Sequence, residues 1–265
     1  MGSWDQIKTW HFVLPPSRPS ADHLNQIKKL VSTLDQSYPV AVLGCTPEFR
    51  DLLVETGHRN IYILDKNKDF IKLMTELRIY SNKENIVYGD WLETLSNYKN
   101  FFSLILSDLT IGNIPYDKRE LFYQLVTQAL EKDGIFIDKV LTHPFQHINL
   151  HELMDKYSNL PLNLLHVNYF SCEFFFCSEL LDMRCLVDST LFYKTLEKKF
   201  KNKRLQAFLN NCTKVTPPGC LWYYGKQWAE VRTNYCPELK TLNIFDDDLG
   251  SPYFNRLKLF VNTKE

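Results

Sequence analysis

Short apolar runs alternate with amphipathic stretches through the first half of the chain. The runs are Val40–Leu43, Ile61–Leu64, Ile86–Tyr88, Phe102–Leu106 and Ile135–Leu141. Each is strand-length and rich in β-branched or aromatic residues, the composition of strands covered on both faces of a parallel sheet. Between them, Ala21–Leu34 carries Leu24, Ile27, Leu30, Val31 and Leu34 at helical spacing behind the cap Ser20. Glu48–Thr56 closes on Gly57, Lys68–Tyr80 follows, and Lys118–Leu130 places Leu121, Phe122, Leu125, Val126 and Ala129 on one face. Strands separated by crossover helices predict an α/β fold built on a doubly wound, mostly parallel sheet.

Beyond Thr142 the pattern loosens. Ile148–Tyr157 and Leu191–Leu209 read as helices, Leu160–Leu181 is apolar and aromatic, and Tyr223–Lys264 supplies a closing strand pair. Within that pair, Arg256–Val261 alternates as a half-buried strand should. At the other end, prolines 15, 16 and 19 keep Trp4–Ser20 out of regular structure, so it reads as an arm or lid. The expected organisation is an arm over 1–20, a core over 21–145, and a C-terminal α+β addition over 146–265. That addition is expected to complete the sheet and cap the substrate side.

Composition narrows the partners. Lys+Arg and Asp+Glu are both 31, so no global field draws the chain to nucleic acid or to a membrane surface, and neither partner is expected. The basic stretch Lys194–Arg204 reads as a solvated helix face. Seven cysteines without a Cys-x-x-Cys pair read as reduced cytosolic thiols, and no metal site is expected. No apolar run reaches the ~18–20 residues that span a bilayer, and no signal-peptide pattern opens the chain, so the expected location is cytoplasmic. Gln6 stands where a myristoylation start wants Ser or Thr.

The candidate chemistry gathers at the ends of the predicted strands. Gly44 breaks the first strand, Thr46 is placed to N-cap the next helix, and Pro47 occupies its first turn with Glu48 and Asp51. Such a start offers exposed amides and close backbone approach to a ligand. Asp65, Asp90 and Asp108 then stand at three further strand tips. Any one alone is an ordinary capping carboxylate, but ligands of open α/β sheets bind across the strands' carboxyl ends, where all three fall. Asp65 also lies about 20 residues past the glycine turn, where nucleoside sites grip ribose hydroxyls.

Taken together, Gly44-Cys45-Thr46-Pro47-Glu48, Asp65, Gly89-Asp90-Trp91 and Asp108 with Gly112-Asn113-Ile114-Pro115 resemble successive motifs of class I S-adenosylmethionine-dependent methyltransferases. The closer resemblance is to the branch carrying Leu-Gly-x-Thr-Pro-Glu in place of a glycine-rich loop. It covers roughly Pro16–Leu141 and includes an Arg-Pro-Ser element at Arg18-Pro19-Ser20. The resemblance implies S-adenosylmethionine as cofactor, with the Gly44–Thr46 turn at its methionine part. It also implies Asp65 on the ribose hydroxyls with Lys66 beside it, Asp90 and Trp91 at the adenine, and Asp108 near the methionyl amine and methyl group. Arg18 is the candidate for the cofactor carboxylate. A nicotinamide site fits worse, because Gly-x-Gly-x-x-Gly is absent.

For catalysis, methyl transfer needs mainly alignment, with a base only where the acceptor must lose a proton. Tyr116 and His143 follow the fourth and fifth strands and are the candidates; the ordinary reading of each is packing. Trp222, Tyr223, Tyr224 and Trp228 wall an acceptor pocket, or are core, or form a homodimer face. The expected function is methylation of a small molecule or peptide with an uncharged or aromatic-bearing acceptor. The alternatives are a non-catalytic, partner-binding relative and a transferase using another group of the same cofactor.

Overall fold

The computed structural model describes residues 10, 13–15, 17–142, 149–175, 177, 186–223, 236–247 and 256–265. In chain order its regular elements begin with α1 (Ala21–Val31), β1 (Val40–Leu43), α2 (Pro47–Glu55), β2 (Ile61–Asp65), α3 (Lys68–Glu76) and β3 (Asn85–Tyr88). Next come α4 (Trp91–Thr94), β4 (Phe102–Asp108), α5 (Arg119–Ala129), β5 (Leu130–Leu141), α6 (Leu150–Asn159) and α7 (Leu164–Phe175). The rest are β6 (Leu186–Asp188), α8 (Ser189–Lys199), α9 (Lys203–Val215), β7 (Leu221–Tyr223), β8 (Leu239–Asp246) and β9 (Leu257–Lys264). No helix among the described residues is long and apolar enough to cross a membrane.

The chain divides into two compact units, Arg18–Leu141 with Gln227–Glu265, and Met1–Ser17 with Thr142–Lys226. The first holds a seven-stranded sheet in the order β3-β2-β1-β4-β5-β9-β8. Strands β1 to β5 are parallel, as their apolar composition predicted, and every residue of β1 is buried. The chain winds outward from β1 through β2 to β3, then returns to β4 on the other side of β1. That reversal puts a topological switch point at the carboxyl ends of β1 and β4, the place where open α/β sheets receive ligands. Strand β9 runs antiparallel to both β5 and β8, so β8 points the same way as β1 to β5.

Several boundaries depart from the sequence pattern for local reasons. Strand β5 begins at Leu130 rather than Ile135, entering through an irregular turn with Asp133 at φ 61° before Ile135 regains register with Leu104. Strand β9 is not half-buried: Leu259, Phe260 and Val261 are all inside, so both of its faces are covered. The single helix expected over Leu191–Leu209 is two helices. Phe200 turns extended at ψ 104° and is fully buried, and Asn202 caps α9 by accepting the Arg204 N–H at 2.7 Å.

A buried charge network fixes α2 and the connector after α3. Arg50 donates from Nε and Nη2 to the two oxygens of Glu84 at 3.0 and 2.5 Å, and from Nη2 to Thr75 Oγ1 at 2.8 Å. Arg78 Nη1 reaches Glu84 at 2.8 Å, and Asp51 accepts the amides of Ile79 and Tyr80 at 2.8 and 3.1 Å.

The second unit is helical with one small hairpin. Helices α6, α7, α8 and α9 pack around Tyr157, Phe170, Phe174 and Phe208, and the rings of Phe170 and Phe208 stack at 5.4 Å. Within the apolar run after α6, Leu164–Phe175 forms α7, which is mostly buried from Val167 onward. Its Glu173 accepts from Tyr157 at 3.1 Å and from Lys156 at 2.8 Å, which satisfies a carboxylate in an aromatic core. Strands β6 and β7 pair antiparallel, and Asn168 Oδ1 accepts the Leu14 N–H at 3.0 Å.

Candidate functional site

The switch point is built first by Gly44, which takes φ 95°, a conformation that favours glycine. A Cβ placed there would meet one neighbour within 4 Å, the Asp65 carboxylate oxygen Oδ2 at 3.9 Å. Gly44 and Asp65 thus face each other across the ends of β1 and β2. Asp65 is 8% exposed; its Oδ1 accepts the Asn67 N–H at 2.8 Å, while Oδ2 takes no hydrogen bond among the described residues. Burial raises the Asp65 carboxyl above its ordinary value, against the opposing pull of the Asn67 amide and of the Lys66 charge and backbone amide. A carboxyl that turns Oδ2 toward the side-chain-free glycine offers an acceptor to a ligand seated at the strand ends.

Thr46 precedes α2 as predicted, but its side chain does not cap the helix. Its hydroxyl donates instead to Asp108 Oδ2 at 2.9 Å, a charge-assisted bond that bridges β1 and β4. The amides of the first turn of α2 are left without the cap that Thr46 was expected to supply. Asp108 is completed by Lys139, whose Nζ lies 2.6 Å from Oδ1; the two side chains are 5% and 0% exposed. Directly after Asp108 the chain enters the left-handed region at Leu109, φ 57°, held by its N–H on the Lys139 carbonyl at 2.9 Å. A non-glycine residue held in that region is strain concentrated at the strand tip.

On the β2–β3 side, Asp90 performs the ordinary duty of a strand-tip carboxylate. It caps the short helix α4 by accepting the Leu92 N–H at 3.1 Å, and exposed Lys66 reaches it at 3.2 Å. Trp91 donates from Nε1 to the Leu64 carbonyl at 2.7 Å, fixing its indole against the end of β2. Arg18 pairs through Nε with Glu48 in the first turn of α2. Tyr116 lies in a short 3-10 turn with the Arg119 guanidinium 4.5 Å over its ring, and His143 lies outside the described residues.

Two residues that sequence reasoning missed stand in the same unit. His23 shares the buried face of α1 with Ile27 and Val31 and is fully buried, with no side-chain hydrogen-bond partner for its ring among the described residues and the Asp246 backbone beside it. Asp247 directly follows β8, is 3% exposed, and neither carboxyl oxygen has a hydrogen-bond partner among the described residues. Lys139 was missed as well, although the Asp138-Lys139 pair inside an apolar run, which places charge within a buried strand, could have marked it.

No protein-family model matches the chain, and no curated protein sequence does. Solved structures do. One, named as a Zn-dependent alcohol dehydrogenase from Rhodobacter sphaeroides, aligns over 98% of both chains with a TM-score of 0.59 at 10% identity. The N-methyltransferase NodS from Bradyrhizobium japonicum, solved with S-adenosyl-L-homocysteine, aligns over 98% of both chains with a TM-score of 0.54 at 9% identity. A protein from Listeria monocytogenes named as an S-adenosylmethionine-dependent methyltransferase covers 93% of this chain and 100% of its own, with a TM-score of 0.54 at 12% identity. The fold is methyltransferase-like. At these identities the likeness is one of architecture: a mostly parallel seven-stranded sheet in α/β surroundings, shared with S-adenosylmethionine-dependent methyltransferases.

Proposed function

We propose that the chain is an S-adenosylmethionine-dependent methyltransferase acting on a small molecule or a peptide. The observation that carries this reading is the Gly44–Asp65 pair: a positive-φ glycine facing a buried carboxyl group at the sheet's switch point. A ribose needs such an acceptor, and the methionine part of the cofactor needs such an approach. Asp90 and Trp91 lie at the adenine side, and Asp108, set by Lys139 and Thr46, at the methionyl side. The Arg18–Glu48 pair would admit the cofactor carboxylate as a competing partner for the guanidinium. When bound, the cofactor supplies an electrophilic methyl group on a sulfonium; the chain's own residues orient it and exclude water.

Ligand-dependent stabilisation tests the reading directly. S-adenosylhomocysteine at about 100 times its Kd should raise the unfolding free energy by about 2.7 kcal/mol, a shift in Tm on the order of 5–10 °C. NAD+ at the same concentration should leave Tm unchanged. Stabilisation by NAD+ and not by S-adenosylhomocysteine would replace this reading with a nicotinamide site.

A further inference from the structure

Asp247 and His23 have no role in the cofactor site just described, yet among the described residues neither Asp247 oxygen has a hydrogen bond and the His23 ring has at most the Asp246 backbone beside it. Buried polar groups in folded proteins are nearly always satisfied, so an orphaned pair requires an explanation. The other carboxylates of this unit that are buried at the strand ends have partners: Asp108 has Lys139 and Thr46, and Asp65 has the Asn67 amide. Asp247 has neither hydrogen bond nor ion pair among the described residues. Because β8 runs with β1 to β5, Asp247 stands at the same carboxyl edge as Asp108, on the β5–β9–β8 side away from Asp65 and Asp90. Helix α1, which carries His23, packs on β8.

The charged and titratable groups that act on His23 are Asp247, Lys139, Asp22 and the backbone at Asp246. Burial is the largest influence and lowers the imidazole pKa from its ordinary value, with Lys139 acting in the same direction and the two aspartates and the backbone opposing it. The pair presents two carboxyl oxygens and an imidazole on one buried patch. A hydroxyl acceptor offers this pair one donor, whereas a protonated amine offers up to three, together with the charge that a carboxylate pairs with.

We propose that His23 and Asp247 form the acceptor subsite, and that the acceptor is an amine. This rests on the methyltransferase reading above and specifies its substrate class. The ammonium enters paired to Asp247, and one of its protons passes to an unprotonated ring nitrogen of His23, leaving an imidazolium beside the carboxylate. The freed nitrogen lone pair forms the new N–C bond, while the C–S bond breaks and its electron pair stays on sulfur, giving a neutral thioether and a methylated ammonium.

The test uses the full chain saturated with S-adenosylhomocysteine. Primary amines from methylamine to phenethylamine and spermidine are titrated against the alcohols of the same skeletons, with binding read by calorimetry and His23 by its imidazole NMR signals. At least one amine should bind, its alcohol should bind about tenfold or more weakly, and the His23 signals should move on binding. Asp247→Asn should weaken that amine about tenfold or more while S-adenosylhomocysteine affinity and Tm stay near wild type. His23→Gln should retain amine binding but lose most label transfer from methyl-labelled cofactor. If S-adenosylhomocysteine binds but amines show no preference over alcohols, or His23 titrates with Asp247 as an ion pair indifferent to amines, the subsite is overturned. If S-adenosylhomocysteine itself fails to bind, the methyltransferase reading falls first.

Discussion

Replacing Glu84 with alanine is expected to lower the unfolding free energy by about 3–5 kcal/mol, measured by urea denaturation. The wild-type carboxylate takes two bonds from Arg50 and one contact from Arg78, with all three side chains 5% exposed or less. Truncation leaves Arg50 with Thr75 alone and Arg78 with Asp51 at 3.3 Å, so one cation loses its counter-charge in the interior. The damage should spread to the ligand edge, because Arg50 belongs to α2, whose first turn follows Gly44. A loss under about 1 kcal/mol, the scale of an exposed pair, would show that solvent reaches the network.

The second large effect is expected at Lys139. Lys139→Met should cost about 3–5 kcal/mol, because it strands Asp108 as a buried carboxylate with only the Thr46 hydroxyl. Adding Asp108→Leu should restore much of that loss, since replacing both members of a buried pair by apolar residues is often neutral or stabilising. The double variant separates two roles: it should regain stability yet bind S-adenosylhomocysteine worse than wild type, because the carboxylate assigned to the methionyl side is gone. Thermal unfolding and calorimetry on the three proteins check this, and a double variant no more stable than Lys139→Met would contradict it.

The parts of the fold that follow from periodicity were legible in the sequence. All five parallel strands overlap the apolar runs; β1, β2 and β4 are buried almost throughout, as strands covered on both faces must be, while the edge strand β3 is part-exposed. The parts set by a single local competition were not. Asn202 restarts a helix in what reads as one amphipathic stretch, and the turn at Asp133 extends β5 backwards into polar residues. At the site, Gly44 and Asp65 come together because strand tips are forced together by register, which spacing predicts. Thr46 prefers the Asp108 carboxylate over the backbone amides, a choice that depends on a strand 62 residues away. His23 and Asp247 were illegible for the same reason. Their juxtaposition is made by β8 folding back beside β9, and neither the Ala-Asp-His start of α1 nor the acidic run after Phe245 shows its partner.

The central claim, that the carboxyl edge around Gly44 and Asp65 holds the nucleoside of S-adenosylmethionine, is tested most directly by calorimetry with S-adenosylhomocysteine on wild type and Asp65→Ala. Wild type should bind with micromolar or tighter Kd, and the variant should bind more weakly by about 1–3 kcal/mol, the scale for leaving a hydroxyl pair without its acceptor. Its Tm should not fall, since the substitution removes a desolvated charge. Equal affinity in the two proteins, or no binding by wild type, would contradict the account.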